Sequence, residues 1–557
     1  MLHVSRRHLL GGITAATTLH PSLTRAATAA PPPALAAAIA AIRAHAEAHR
    51  RYLGVPGLAV ALTAPGLPAY EILVGSTDLS GRRPVDGRTL FQVGSITKLM
   101  VGAVVHQLAS EGKLSLASDA RSLLPGVPWP SGAPITIQQL LDHTSGLPGN
   151  APTFPGDGPL WRGSAPGSHW LYSNTGYGLI GSIIERIEKA PMASVLRRRI
   201  FAPLGMSGAR GAILWADRRD YIQGYQPLDL DQVYVPGDPL GPAPWVDVTF
   251  AAGSVAAPTA DMALLMRSIA AAANGRGGLG LSPAAGKAFV AHAVPSEEKR
   301  TYGNGLMHVA DGTRQLLHHT GGMPSFSSSF HLDVPSEIGA YASVPIGYPA
   351  GYRPRLLTLY AVQALRAAVT RTPVPKAPTL QRPTIDSTDF VGTYTFPGSG
   401  ETLRITAGSR GPLFQSGQAR GELISLGKDM FATQAPGWSR WAMTMVRKGD
   451  QVVAIEHGSR TFVRDGAVHP VAPSDPALAR FAGRFVFDSP WGGTIEIVER
   501  GGKLWLGGYD AMTRIGDNLY RLGEQSWSPE RIRFTHFAEG RPATIYVSGE
   551  RYDRRDI

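Results

Sequence analysis

Apolar residues recur at three- and four-residue spacing over 34–51, 95–111, 136–142, 176–189, 259–273 and 353–369, the period that gathers them on one face of a helix. Short apolar runs such as Leu58 to Leu62 and Glu71 to Val74 lie between these segments and predict strands. Up to about residue 370 the chain therefore reads as mixed helix and strand. Beyond that point the helical period is lost. Thr402-Leu403-Arg404-Ile405 and Thr494-Ile495-Glu496-Ile497 alternate polar with apolar residues, and glycine-rich turns separate such runs, which predicts antiparallel sheet with one buried face.

Proline marks the divisions. Pro373, Pro375, Pro378 and Pro383 fall within 371–384, and Pro470, Pro473 and Pro476 follow His469; both stretches favour extended linker over packed helix. The expected organisation is a mixed domain over 31–370, a linker over 371–385, and β domains over 386–469 and 476–557. The two β domains repeat one another. Asp389-Phe390-Val391-Gly392-Thr393-Tyr394-Thr395-Phe396 aligns with Arg480-Phe481-Ala482-Gly483-Arg484-Phe485-Val486-Phe487, and Leu413-Phe414 aligns at the same offset with Leu504-Trp505. About 80 residues of short antiparallel strands close most readily into a small barrel, because closure removes exposed strand edges.

Composition narrows the function. The 557 residues are 43% hydrophobic and 17% charged, with 65 glycines and 45 prolines, a globular balance rather than a fibrous or disordered one. Cysteine is absent, which excludes thiol nucleophiles, disulfide scaffolds, iron–sulfur clusters and Cys-ligated zinc. The formal charge of +12 is spread along the chain without a basic block, so no nucleic-acid partner is expected. No run reaches the ~18 uninterrupted apolar residues of a membrane span. Residues 1–30 have the form of a signal peptide: Ser5-Arg6-Arg7-His8-Leu9-Leu10, a weakly apolar Gly/Ala/Thr-rich run, then Arg25 and the small residues Ala26 to Ala30. The paired arginines resemble a bacterial twin-arginine export signal, so a periplasmic or secreted protein is expected.

The candidate chemistry sits in the mixed domain. Ser95 and Lys98 open the apolar run 96–109, where a spacing of three places both side chains on one helical face, one turn apart. A helix N-terminus supplies positive potential and free backbone N–H groups that stabilise an alkoxide. Lysine becomes a base only when burial or neighbouring cations bring it down from about 10.4, and Val101, Ala103, Val104, Val105 and Leu108 predict a central, buried helix. Tyr172-Ser173-Asn174 precedes the next helical run, so hydroxyl and amide can project together from a turn. His319-Thr320-Gly321-Gly322 lies between the strand-like Arg314 to Leu317 and a second strand-like stretch from Ser325 to Val334.

Ser-x-x-Lys, Tyr-x-Asn and His-Thr-Gly in this order resemble the penicillin-recognising serine hydrolases: class C β-lactamases, D-Ala-D-Ala carboxypeptidases, D-aminopeptidases and related esterases. Leu140 to Pro148, Gly253-Ser254-Val255 and Pro258 to Asp261 resemble further segments of that family, and the likeness runs from about 40 to 370. It implies an α+β fold, a β-lactamase-like catalytic domain with an antiparallel sheet flanked by helices, here followed by two small antiparallel β-barrel domains. It also implies acylation of Ser95 with Lys98 and Tyr172 as proton acceptors, an oxyanion hole from the backbone N–H groups of Ser95 and Gly322, and substrate contacts from Asn174, His319, Thr320 and Gly321. No cofactor or metal is required.

His319 stands where many relatives present lysine, a fixed cation suited to a substrate carboxylate, and an unperturbed imidazole is mostly neutral at pH 7. That departure, with two C-terminal β domains, points to a D-aminopeptidase-like peptidase or amidase acting on a small D-configured peptide or amide. An esterase on the same scaffold, and a penicillin-binding sensor with little turnover, are the alternatives. Self-association into a homo-oligomer stays open.

Other conspicuous residues have simpler readings. Thr136 and Gln139 suggest a capping box, with Gly146 ending that helix and His143 holding a loop. Asp261 complements the dipole of a helix's first turn. Trp161, Trp170 and Tyr177 either line a pocket or pack in the core, and His318 and His319 lack further ligands at metal spacing.

Overall fold

The computed structural model describes residues 31–297, 300–347, 352–381, 386–409 and 411–555. The expected signal peptide at 1–30 and residues 382–385 of the linker lie outside the described residues.

The mixed domain is built from α1 (Ala36–Leu53), β1 (Gly57–Ala64), β2 (Leu67–Gly75), α2 (Thr97–Ser110), α3 (Ile137–Leu141), α4 (Asn174–Glu188), α5 (Thr259–Ala273) and α6 (Pro283–Ala291). Strands β3 (Val294–Pro295), β4 (Thr301–Gly303), β5 (Leu306–Asp311), β6 (Arg314–Gly322), β7 (Ser327–Asp333) and β8 (Ile338–Val344) follow, and α7 (Arg355–Val369) closes it. All six helical runs read from the sequence are present. The helix α6 and the helical segment 192–204 were not anticipated, although Ser282 as cap and Pro283 in the first turn are a start signal for α6.

The strands form one antiparallel sheet in the order β2-β1-β8-β7-β6-β5-β4-β3. Every residue of β1 is buried, because the sheet is covered on both faces. Leu58, Val60 and Leu62 pack with Ile39 and Ile42 of α1 and Leu365 of α7. Ala61, together with Phe330 and Tyr341 from neighbouring strands, joins the opposite cluster that contains α2 and α5. The first strand reaches the last, pairing Ala59 with Ser343 and Leu62 with Ala340.

The linker residues that are described lie along this domain. Val374 and Ala377 pack against the α1/α7 cluster, and the Tyr360 hydroxyl donates to the Pro375 carbonyl at 3.2 Å. Among the described residues beyond 386 the chain is strand and loop apart from one helical turn, Pro476–Ala479. Exposure alternates along Thr402–Thr406, as the period-two pattern requires.

The second β unit is a closed barrel of eight strands. The first is nearly closed. Its sheet ends on Ala419–Glu422 and Ile424–Gly427, two pieces flanking Leu423, where the second barrel has the unbroken strand Asp510–Gly516. Leu423 is buried, and its N–H donates to the Pro412 carbonyl at 2.8 Å, one step on in the register that pairs Leu413 with Glu422. The two barrels are joined by Arg500, which donates to Glu456 Oε2 at 2.7 Å and the Gly458 carbonyl at 2.6 Å.

Candidate active site

Ser95 stands in a single turn, Gly94–Ile96, that runs directly into α2. Gly94 has φ +60°, and a Cβ there would lie 2.9 Å from Gly322 N and 3.0 Å from Gly321 Cα; only glycine fits. The turn is held from both sides, since Ser328 Oγ donates to the Val93 carbonyl at 2.7 Å and Val93 N donates to the Val255 carbonyl at 2.9 Å. The end of β6 is thereby fixed against the nucleophile turn.

Lys98 follows one turn later with 0% of its surface exposed. Its Nζ lies 3.1 Å from Ser95 Oγ and donates to the Ala252 carbonyl at 2.9 Å. The rings of Tyr172 and Tyr177 stand 4.9 and 5.5 Å from it. Desolvation holds the Lys98 amine well below the usual lysine range.

Tyr172 precedes Ser173, the N-cap of α4, whose hydroxyl accepts from Gly176 N at 3.0 Å and donates to the Pro148 carbonyl at 2.7 Å. Burial raises the Tyr172 phenol, opposed by its interaction with the Ser95 hydroxyl and by the charge of Arg353. The structure thus gathers Ser95, Lys98 and Tyr172 around one point. Asn174 sits in the first turn of α4, and its Nδ2 donates to Asn150 Oδ1 at 2.7 Å, so it fastens the helix start to the loop before it.

His143, not Gly146, is the left-handed residue just past α3, with φ +61°. It holds the loop as expected: its Nδ1 accepts from Ser173 N at 3.0 Å and its carbonyl from Leu171 N at 2.8 Å. It also belongs to the site, because its ring lies 4.3 Å from that of Tyr172 and 4.7 Å from that of Tyr302. Burial keeps it well below the ordinary histidine range, and the charges of Lys98 and His319 act in the same direction.

Strand β5 pairs with β6 only as far as His318, opposite Met307, while β7 continues to Gly322, opposite Ser327. Residues 319–322 therefore have no ladder partner on the side that β5 leaves. His319 is 1% exposed. Its Nδ1–H donates to the Thr320 carbonyl at 2.6 Å, which leaves Nε2 as the acceptor, 3.4 Å from the Tyr302 hydroxyl. Burial is the main cause that pushes His319 down to about 3.

Tyr302, fully buried on β4, is the site residue that sequence reasoning missed; no local motif marks it. Of the three undecided aromatics, Tyr177 is core and its hydroxyl donates to the Leu141 carbonyl at 3.0 Å. Trp170 borders the site, 6.4 Å from Tyr172 and 5.9 Å from Tyr302. Trp161 packs partly buried against the core, and its Nε1 donates to the Pro529 carbonyl of the second barrel at 2.6 Å. Asp261 caps a neighbouring turn by accepting from Gly208 N at 2.8 Å. Among the described residues, no group of three or more His, Cys, Asp or Glu could hold a metal ion, and no helix is long and apolar enough to cross a membrane.

The β-lactamase of Escherichia coli (strain K12) is 27% identical over 184 residues, 31% of this chain and 48% of its own. Penicillin-binding protein 4* of Bacillus subtilis (strain 168) is 29% identical over 192 residues, 31% of this chain and 42% of its own. The chain thus spans about half the length of these curated relatives. Among solved structures, the octameric penicillin-binding protein homologue from Pyrococcus abyssi has a TM-score of 0.52 at 19% identity, over 76% of this chain and 100% of that one. The D-amino acid amidase from Ochrobactrum anthropi SV3 complexed with L-phenylalanine has a TM-score of 0.51 at 23% identity, over 60% of this chain and 99% of that one. Both share the fold. Residues 42–365 match the beta-lactamase family, and the chain belongs to that family.

Proposed function

We propose that the chain is a serine hydrolase working through an acyl-enzyme on Ser95, with a D-aminopeptidase-like peptidase or amidase activity on short D-configured peptides or amides. The observation that carries the chemistry is the fully buried Lys98 amine 3.1 Å from Ser95 Oγ. As a neutral amine it keeps one N–H on the Ala252 carbonyl and offers its lone pair to the Ser95 hydroxyl. Ser95 Oγ attacks the substrate carbonyl as its proton passes to Lys98, and the oxyanion is held by the N–H groups of Ser95 and Gly322. Tyr172, whose phenol burial keeps protonated, relays that proton to the leaving nitrogen as the C–N bond breaks. Water then attacks the ester, releasing the acid and restoring Ser95.

The amide assignment is supported by His319. A neutral ring whose Nε2 is an acceptor suits an acyl donor bearing N–H or ammonium groups better than one anchored by a carboxylate. The fold is also one that a D-amino acid amidase uses. Thr320, Gly321 and the unpaired edge of β6 are the natural place for the substrate's backbone. Export to the periplasm or medium belongs to the same proposal and rests on the Arg6-Arg7 leader.

Parallel assays on a D-alanyl p-nitroanilide, a short p-nitrophenyl ester and nitrocefin test it. The anilide should give the highest kcat/KM, and Ser95→Ala should abolish both turnover and fluorophosphonate labelling, a loss of several orders of magnitude, up to about a millionfold. Cleavage of the ester or nitrocefin without the anilide would overturn the amide assignment, and turnover near wild type in Ser95→Ala would overturn the nucleophile.

A further inference from the structure

The second barrel lies against the segment of the catalytic domain that leads into Tyr172. Glu530 Oε1 accepts from Gly149 N at 2.7 Å. The Gly149 carbonyl in turn accepts from Asn174 N at 2.7 Å and Thr175 N at 3.3 Å. One carboxylate of the barrel is thus tied, through the backbone of a single glycine, to the first turn of α4 and the loop ending in Tyr172. The other carboxylate oxygen of Glu530 accepts from the Ser548 hydroxyl, so the direction of the carboxylate is set from within the barrel.

The surrounding contacts converge on the same segment. Trp161 Nε1 donates to the Pro529 carbonyl at 2.6 Å, and the Arg531 guanidinium stands 3.4 Å over the Trp161 ring. Asp157, with 0% side-chain exposure, accepts from Arg531 at 3.1 Å and Arg533 at 3.2 Å. His169 stacks on Trp527 at 4.6 Å, and Gly156 N donates to the Gly549 carbonyl at 3.2 Å. The approach is close enough that a Cβ on Gly163 would lie 2.2 Å from the Trp527 carbonyl oxygen. The barrel also meets a second segment through the Arg484–Asp231 ion pair at 2.9 Å, but the contacts described above all fall within residues 149–169, immediately before Tyr172.

We propose that Glu530 of the second barrel is a positioning residue that sets the Tyr172 loop for catalysis, so that the barrel is part of the catalytic apparatus without touching substrate. This rests on the proposed role of Tyr172 as proton relay. A hydrogen bond fixed at 2.7 Å controls where Gly149 sits, and a misplacement near 1 Å caused by a remote substitution can cost about a hundredfold in rate.

The test is a double-mutant cycle in the full chain, with turnover of a short p-nitrophenyl ester measured per fluorophosphonate-labelled Ser95. Glu530→Ala should lower kcat about ten- to a hundredfold while Ser95 still labels to completion. Glu530→Gln, whose amide oxygen still accepts from Gly149 N, should recover most of that loss. In a Tyr172→Phe background Glu530→Ala should cost no more than about twofold further. If Glu530→Ala does not fold, Trp161→Phe, which removes the N–H given to Pro529 and part of the ring beneath Arg531, is read in the same cycle by the same criteria. Wild-type kcat in the Glu530 or Trp161 variant, or an equal loss in both backgrounds, would overturn the positioning role alone. Wild-type kcat in Tyr172→Phe would overturn the proton relay and the positioning role together.

Discussion

Gly94→Ala would put one methyl group between the nucleophile turn and the strand that supplies Gly322. Two costs follow from the geometry. An alanine held at φ +60° loses about 1–2 kcal/mol of stability from the left-handed conformation itself. Its Cβ would also lie 2.9 Å from Gly322 N and 3.0 Å from Gly321 Cα, where ordinary contact begins at 3.4 Å. Both obstacles are backbone atoms and cannot rotate aside, so β6 must retreat by about 0.5 Å, the whole tolerance of a catalytic constellation. Half of the displacement that costs about a hundredfold corresponds to about tenfold in kcat/KM, or ~1.4 kcal/mol on the barrier. The assay is kcat/KM per labelled Ser95 on a p-nitrophenyl ester, beside a thermal or urea melt. Gly66→Ala is the control. Gly66 has φ +71° with nothing within 4 Å of its Cβ position, so that variant should show the conformational loss and keep kcat/KM. Equal kcat/KM in the Gly94 and Gly66 variants would refute the claim that β6 is seated against the nucleophile turn.

Lys98 should leave a signature in stability against pH. Burial holds its folded pKa below the unfolded value of about 10.4, so between the two the unfolded chain binds one more proton. Stability therefore rises with pH across that window and the contribution is complete above about pH 10.4. The urea midpoint of wild type should rise relative to that of Lys98→Met from about pH 7 to 10, and parallel slopes would show a charged Lys98 in the fold. His319→Lys should speed penicillin acylation about fivefold, on the order of 1 kcal/mol, and slow amide and ester turnover. The gain is limited because the new ammonium is buried close to Lys98. Stopped-flow acylation rates that do not change, alongside unchanged amide and ester rates, would show that residue 319 does not meet the substrate.

The sequence carried those parts of the site whose chemistry demands a local spacing. Ser95 and Lys98 are legible because a helix turn sets their separation, and Tyr172 because a cap residue and helix follow it. Tyr302 is not, since it meets His319 and His143 only after β4, β5 and β6 have paired and the 143–173 loop has folded over them. Glu530 is harder still: its partner Gly149 lies hundreds of residues away, and an isolated glutamate at a strand start looks like solvated surface. The same division holds for the fold. The amphipathic helices and the barrel repeat show in the hydrophobic period, whereas the break at Leu423 that leaves the first barrel's sheet open has no counterpart in that pattern.

The pairing of β1 with β8 has a consequence for how the chain is made. Ala59 can find Ser343 only after roughly 280 further residues have been synthesised, which at about 5–20 residues per second is a wait on the order of 15–55 s. During it Leu58, Val60 and Leu62 have β2 on one side but lack both β8 on the other and α7 to cover them. An apolar strand left in that state is a target for holdase chaperones and for mispairing. Pulse-labelled nascent chains should therefore stay protease-sensitive near residues 57–64 until α7 has emerged from the ribosome, and become resistant in one step thereafter.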